Sequence, residues 1–211
     1  MKNNQCLIAL AIAVCSSSVI AEEKIDYSFS AKMWNTQIRN NGEAASQSAY
    51  GPILSATAKK GDYFVTASFL MPTTYTTSAT YTTRRDADLA LGWSVNSNVA
   101  LLLGQKTIGA NKYDSGSWNI ETVHISYLGA NGFTSIGENQ FLYGTLTRSF
   151  KAKDSNGGTP QSITFTNYEA GYGYVLNKNT QLSAGYRMQK FDVSGGGAKI
   201  PGLIVGATFT P

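Results

Sequence analysis

The sequence is poor in charge, in cysteine and in long apolar runs, and each shortage excludes a class of protein. Charged residues make up 14% of the 211 residues, against about 25% in average soluble domains. No stretch of about 18 uninterrupted apolar residues occurs, which excludes a helical membrane protein. Intrinsic disorder is excluded as well, because 42% of the residues are hydrophobic and the charge content is low.

The N-terminus contains the three regions of an export signal in their usual order. Lys2 supplies a positive start, an apolar stretch runs from Leu7 to Val14, and Ala21 ends a sequence that a signal peptidase accepts. We therefore predict a cleaved signal peptide over residues 1–21 and one mature domain over residues 22–211. Both cysteines, Cys6 and Cys15, fall inside the signal, so the exported domain has no disulfide framework.

The charge pattern and the motif content argue against several kinds of ligand. The formal net charge is +4 without any basic run, so a nucleic-acid partner is not expected. No metal-ligand cluster and no nucleotide-binding glycine pattern is present in the sequence. We expect neither a metal nor a cofactor.

The rest of the chain alternates with period two in about ten segments, which predicts an all-β fold. The clearest segment runs from Asp86 to Val95, where apolar and small or polar residues alternate strictly. Tight polar turns, such as 96–98, alternate with long polar loops, such as 72–83, and segment 129–139 is expected to be a long connection that breaks this rule. The pattern predicts a closed antiparallel transmembrane β-barrel of about ten strands, with eight strands as the alternative. A secreted β-sandwich binding protein also alternates and is the second alternative.

Aromatic residues gather near the ends of these segments, where amphipathic rings suit a membrane–water interface. The predicted interface aromatics are Tyr27, Trp34, Tyr63, Trp93, Trp118, Tyr127, Tyr174 and Phe209. Segment 73–83, which is rich in Thr and Tyr, has the composition of a strand and is expected to extend a hairpin beyond the membrane.

Charged residues lie mostly in loops or on the face opposite the apolar stripe, which in a membrane barrel faces the lumen. The predicted lumen-lining residues are Lys32, Lys59, Arg84, Asp86, Asp88, Lys106, Glu169 and Arg187. They either line a polar pore and set its ion preference or pair with one another and plug the barrel. Side chains just fill an eight-stranded barrel, so ten strands favour a plugged or very narrow lumen.

With its export signal, amphipathic strands and alternating loops, the sequence resembles the small outer-membrane β-barrel proteins of Gram-negative bacteria. The stretches Arg84–Trp93 and Phe141–Gly144 are similar to segments of uncharacterised proteobacterial barrels. Such barrels usually end in an aromatic residue, whereas here Thr210 and Pro211 follow Phe209.

The resemblance implies a place in the cell outer membrane. The partners it implies are outer-membrane lipid and lipopolysaccharide, the barrel-assembly machinery, and small solutes or an extracellular ligand at the long loops. The expected function is non-catalytic: a structural or surface-interaction barrel, or a narrow porin-like channel for small solutes.

A hydrolytic alternative uses His124 as the base, Ser126 as the nucleophile and Glu138 or Glu121 as the orienting acid. The His-x-Ser spacing resembles that of outer-membrane lipid A deacylases, although Tyr127 stands where that family usually has Asn. Such a match is common in a Ser-rich chain, so we expect His124 and Ser126 to be ordinary lumen-facing residues. An omptin-type protease would need acidic pairs and a His at the outer rim, whereas the Asp86/Asp88 pair lies within a predicted strand.

Overall fold

The computed structural model of the chain describes residues 24–40, 46–76, 80–114, 117–154, 163–193 and 196–211. The predicted signal peptide, residues 1–21, lies outside the described residues. Among the residues described, no helix has the length and hydrophobicity needed to cross a bilayer.

The chain forms one antiparallel sheet that closes on itself. Its strands are β1 (Asp26–Thr36), β2 (Arg39–Asn40), β3 (Ala49–Lys60), β4 (Tyr63–Thr76), β5 (Thr80–Ser94), β6 (Val99–Asp114), β7 (Ser117–Gly137), β8 (Gln140–Asp154), β9 (Ile163–Asn177), β10 (Thr180–Val193) and β11 (Gly196–Phe209). Consecutive long strands pair with each other, and β1 pairs with both β3 and β11, which closes the barrel. The two-residue β2 only extends the sheet beside β11. The predicted closed barrel of ten strands is confirmed, and the eight-stranded and sandwich alternatives are wrong.

Alternation and strand length explain why this chain closes. Leu101 and Leu103 are 46% and 49% exposed on the outer surface, whereas Leu102 between them is 8% exposed. The shortest barrel strand, β1, has 11 residues, enough to cross the hydrocarbon layer at the usual tilt. An unpaired backbone N–H or C=O costs several kcal/mol in lipid, so a membrane sheet is stable only without free edges.

The two ends of the barrel differ in their connections. Turns at residues 61–62, 95–98, 138–139 and 178–179 join strand pairs at one end, which we call the short-turn rim. Gly61 adopts a φ of 57° there, a conformation that glycine allows without steric cost. The C-terminus reaches the same rim, because the Thr210 N–H donates to the Asn179 carbonyl over 2.8 Å. We call the opposite end the long-loop rim, because it carries the segments predicted to be long loops. Strands extend into several of these segments, so that only two residues separate β6 from β7 and β10 from β11.

Several predicted loops are strands in the structure. Segment 129–139 was expected to be a long connection, but β7 continues to Gly137 and residues 138–139 make a tight turn into β8. Gly129, Gly132 and the polar residues around them obscure the alternation. Segment 73–83 extends the β4–β5 hairpin as predicted, with Thr74 opposite Thr83; residues 77–79 lie outside the described residues.

Candidate functional site

Apolar side chains fill the lumen toward the long-loop rim. Two buried clusters lie there: Trp34, Ile53, Leu70, Ile200 and Ile204 form the first, and Ala90, Ile108, Ile125, Tyr127 and Phe165 form the second. Phe191 packs against both clusters, with its ring centroid 5.0 Å from that of Phe165. We call this layer the outer plug. It makes this half of the lumen a packed core, as expected for a barrel of few strands.

Two predicted interface aromatics belong to the interior instead, so their assignment was wrong. Trp34 is 0% exposed, and the Arg187 guanidinium lies 5.6 Å from its ring centroid. The Tyr127 hydroxyl donates a hydrogen bond to Asp88 Oδ1 over 2.7 Å. Trp34 lies near the end of β1 and Tyr127 in the middle of β7, and both side chains are on the inward face. Position along a strand does not decide which face a side chain occupies.

Five of the other predicted interface aromatics lie on the outer surface of the barrel, and one has a side chain that the structure does not describe. Exposed rings near the short-turn rim belong to Tyr27, Tyr63, Trp93, Tyr174 and Phe209. Tyr63 and Trp93 are direct partners on β4 and β5. The side chain of Trp118 is not among those described.

The predicted lumen charges of β5 and β6 form a network inside the barrel, which we call the Arg84 cluster. Arg84 donates from Nε and Nη2 to the two carboxylate oxygens of Asp86 over 2.7 and 2.5 Å, and from Nη2 to Gln189 Oε1 over 2.5 Å. Lys106 Nζ lies 3.5 Å from Asp86 and 3.0 Å from Asp88. Two cations and two carboxylates balance each other, as buried charges require.

A second network, the Glu169 cluster, joins β1, β9 and β10. Lys32 Nζ donates to Glu169 Oε1 over 2.9 Å, and Arg187 Nε donates to Glu169 Oε2 over 2.7 Å. Two cations therefore share one carboxylate, which leaves one positive charge in excess among the side chains that the structure describes. Lys59 lies on the inward face of β3 but is exposed near the short-turn rim, apart from both clusters.

A polar cavity of about 240 Å³ lies between the clusters, on the short-turn side of the outer plug. Five ionic side chains among the described residues line it: Lys32, Asp88, Lys106, Glu169 and Arg187. Asn131, Asn167 and Gln189 add three amides, which the alternation pattern gave no reason to single out. The lumen therefore contains the outer plug on its long-loop side and a polar chamber on its short-turn side.

The predicted hydrolytic residues do not meet. His124 is exposed on the outer face of β7, with Nδ1 3.2 Å from Thr107 Oγ1, and Ser126 shares that face, while Ile125 between them is 1% exposed inside. The expectation that His124 and Ser126 face the lumen was therefore wrong. Glu138 lies in the turn fourteen residues beyond His124, about 45 Å along an extended strand. The side chain of Glu121 is not described.

The face of β7 was misassigned because Val123, Ile125 and Tyr127 look like a lipid-facing stripe. Inside the outer plug the lumen is apolar too, so hydrophobicity does not distinguish the two faces. An omptin-like acidic pair with a histidine is not assembled either, because Asp86 and Asp88 lie in the lumen and His124 lies outside it. The described part of the chain contains no group of His, Cys, Asp and Glu that could hold a metal ion.

Comparisons with known proteins agree on the architecture. No protein-family profile and no curated protein sequence matches the chain. The outer membrane protease OmpT from Escherichia coli superposes with a TM-score of 0.53 at 10% identity, covering 92% of this chain and 99% of that one. Neisserial surface protein A (TM-score 0.45, 15% identity, 89% and 99% covered) and Ail, the attachment invasion locus protein of Yersinia pestis (0.43, 16%, 90% and 100%), are further matches.

At 10% identity the likeness to OmpT shows the fold alone. Taken with the closed ten-stranded sheet, it shows that the chain has the fold of the small β-barrels of the Gram-negative outer membrane.

Proposed function

We propose that this chain is an outer-membrane barrel with an occluded lumen, which acts as a structural or surface-interaction protein rather than as an open channel. The observation that carries the proposal is the outer plug. Trp34, Phe165 and Ile204 are each at most 1% exposed, and Phe191 joins the two clusters that contain them. Packing of this kind among the described residues supports a closed lumen, unlike the open channels of barrels with sixteen or more strands.

The outer surface supports a place in the outer membrane. Leu, Val and Tyr side chains cover it, and the exposed aromatic rings near the short-turn rim suit a bilayer interface. Short turns of such barrels face the periplasm, so the long-loop rim faces the cell exterior. Outer-membrane lipid, lipopolysaccharide and the barrel-assembly machinery are the partners that follow from this placement.

The β4–β5 hairpin is the part best placed for a surface interaction. Thr74 and Thr83 are hydrogen-bonded across it, with 2.9 Å between their hydroxyl oxygens, and Tyr50 on the adjoining strand β3 is 64% exposed. Tyrosine rings and hydroxyl groups of this kind supply contact area for an extracellular ligand. We include an extracellular ligand at this hairpin in the proposed function.

Conductance in a planar lipid bilayer tests the occluded lumen. We expect the barrel to be silent, with a conducting porin in the same bilayer system as the positive control. A difference in SDS-gel migration between unboiled and boiled samples is the evidence of folding. Discrete, reproducible current steps from the folded barrel would refute the occluded lumen.

The second candidate, a narrow channel for small solutes, is favoured by the polar chamber. It predicts current steps that change when Arg187 or Asp88 is neutralised, since both side chains line that chamber. Current steps in both variants that equal those of the unmodified protein would contradict this candidate.

Cysteine labelling tests the orientation, because no cysteine follows Cys15. Thr74→Cys on the outer hairpin and Ser97→Cys in a short turn both replace exposed hydroxyl residues. A membrane-impermeant maleimide should label Thr74→Cys in intact cells and Ser97→Cys only after the outer membrane is permeabilised. The reverse labelling pattern would show that the barrel has the opposite orientation in the membrane, and it would overturn the proposal that the β4–β5 hairpin faces the cell exterior.

A further inference from the structure

We infer that the polar chamber is a binding site for a small hydroxylated organic anion, which enters from the short-turn side. Its volume of about 240 Å³ corresponds to roughly eight water molecules at about 30 Å³ each, enough for a hydroxy acid of a few carbons. Phe165 and Tyr127 line the chamber and also belong to the outer plug. The chamber therefore ends blindly toward the long-loop rim.

The charge of the chamber selects an anion. Within the described part of the chain the Arg84 cluster is balanced, whereas Lys32 and Arg187 share the single carboxylate of Glu169. One positive charge is left over in a space walled by protein, where charge interactions are stronger than in water. A carboxylate beside Lys32 and Arg187 would neutralise it and accept charge-assisted hydrogen bonds.

The amides of the chamber select hydroxyl groups. Asn167 is 7% exposed, and its Oδ1 atom, like that of Asn131, is buried without a hydrogen-bond partner among the described residues. Both residues line the chamber, and Asn167 lies two residues from Glu169 on the same face of β9. A buried unpaired amide is costly, and a ligand hydroxyl, which both donates and accepts, satisfies it in either amide orientation.

The accessible surface of the ionic side chains favours entry from the short-turn side. Lys32, Arg187 and Asp88 keep 22%, 19% and 20% of their side-chain surface accessible. Arg84 and Asp86 lie nearer the long-loop end of β5 than Asp88 does, and only 3% and 4% of their side-chain surface is accessible. Free space therefore adjoins the chamber side chains but not the level of Arg84 and Asp86. In the proposed route a ligand enters from the short-turn side, past Phe64 and Tyr143, which also line the chamber.

Three compounds of three carbons separate the features that this site needs. Glycerate carries a carboxylate and two hydroxyls, propionate carries the carboxylate alone, and glycerol carries hydroxyls alone. Isothermal titration calorimetry on the protein extracted from membranes in a neutral detergent should show saturable glycerate binding. Propionate should bind at least about tenfold more weakly and glycerol should not saturate, because each loses one set of hydrogen bonds.

Two variants and a matched control locate the binding. Arg187→Gln removes the excess charge and should weaken glycerate at least about tenfold, and Asn167→Leu should reduce glycerate to the level of propionate. Lys59→Gln removes a cation from the same face outside the chamber and should leave the affinity within about twofold of the original. Migration in unboiled SDS gels reports folding, and Asn167→Leu decides the matter if Arg187→Gln does not fold.

A folded barrel that does not bind glycerate would overturn the site, and so would glycerol binding as tightly as glycerate. Equal losses in Arg187→Gln and Lys59→Gln would show a surface charge effect and would also overturn it.

Discussion

The two halves of the lumen are built by the same ten strands and yet differ in kind. Toward the long-loop rim the inward side chains are apolar, and the Arg84–Asp86 pair is sealed among them at 3% and 4% side-chain exposure. Toward the short-turn rim charged and amide side chains, together with Phe64, Leu102 and Tyr143, surround a chamber. One half of a narrow barrel can therefore be a packed core that stabilises the fold, while the other half contains a cavity.

The largest effect should come from opening the outer plug. Trp34→Ala removes the largest fully buried side chain and should lower the free energy of unfolding by about 3–5 kcal/mol, the usual cost of such a cavity. Trp93→Ala, on the lipid-facing surface, is the control with the same change of side chain. Guanidinium unfolding in micelles measures both; a loss in Trp34→Ala no greater than in Trp93→Ala would contradict the packed plug.

A smaller difference should separate the two arginines. Arg84→Gln leaves Asp86 without its closest cation in a sealed position and should cost about 3 kcal/mol, since Lys106 remains 3.5 Å from Asp86. Arg187→Gln should cost less, because Glu169 keeps Lys32 at 2.9 Å and water reaches the chamber. The same unfolding experiment compares them. A larger loss in Arg187→Gln would mean that the short-turn half is the better sealed one.

Close packing between aromatic rings and glycines offers a finer test. A methyl group at Gly104 would overlap the ring of Tyr127 on the next strand, so Gly104→Ala should cost about 1–3 kcal/mol and loosen the hydrogen bond from Tyr127 to Asp88. At Gly132 the nearest atom to an added methyl is 3.8 Å away, and Gly132→Ala should change stability by less than about 0.5 kcal/mol. Equal effects would show that Tyr127 is free to move.

The smallest expected effect concerns the outside of β7. Ser126→Ala should leave the lipid A mass spectrum of cells making the protein unchanged, because Glu138 is about 45 Å from His124 along the strand. Cells without the protein provide the baseline. A change in the lipid A mass spectrum that requires both the protein and Ser126 would support the hydrolase hypothesis.

Much of the fold is predictable from the sequence, and less of the candidate site. Strict alternation between Asp86 and Val95 predicts β5 and the inward faces of Asp86 and Asp88, because a strand sends successive side chains to opposite faces. The same rule fails on β7, where both faces carry apolar residues and Tyr127 was placed in the membrane interface. Asn131 and Asn167 gave no sequence signal, since a lone Asn at an inward position is not a motif.

The sequence by itself determined that the chain is a membrane-type β-barrel of about ten strands. Period-two alternation, short turns and the absence of long apolar runs are local properties of consecutive residues. Only the tertiary structure decided that Trp34 closes the lumen and that Lys32 meets Glu169, which lies 137 residues away. Such contacts depend on how the strands are staggered when the barrel closes, and this register is set by all ten strands together.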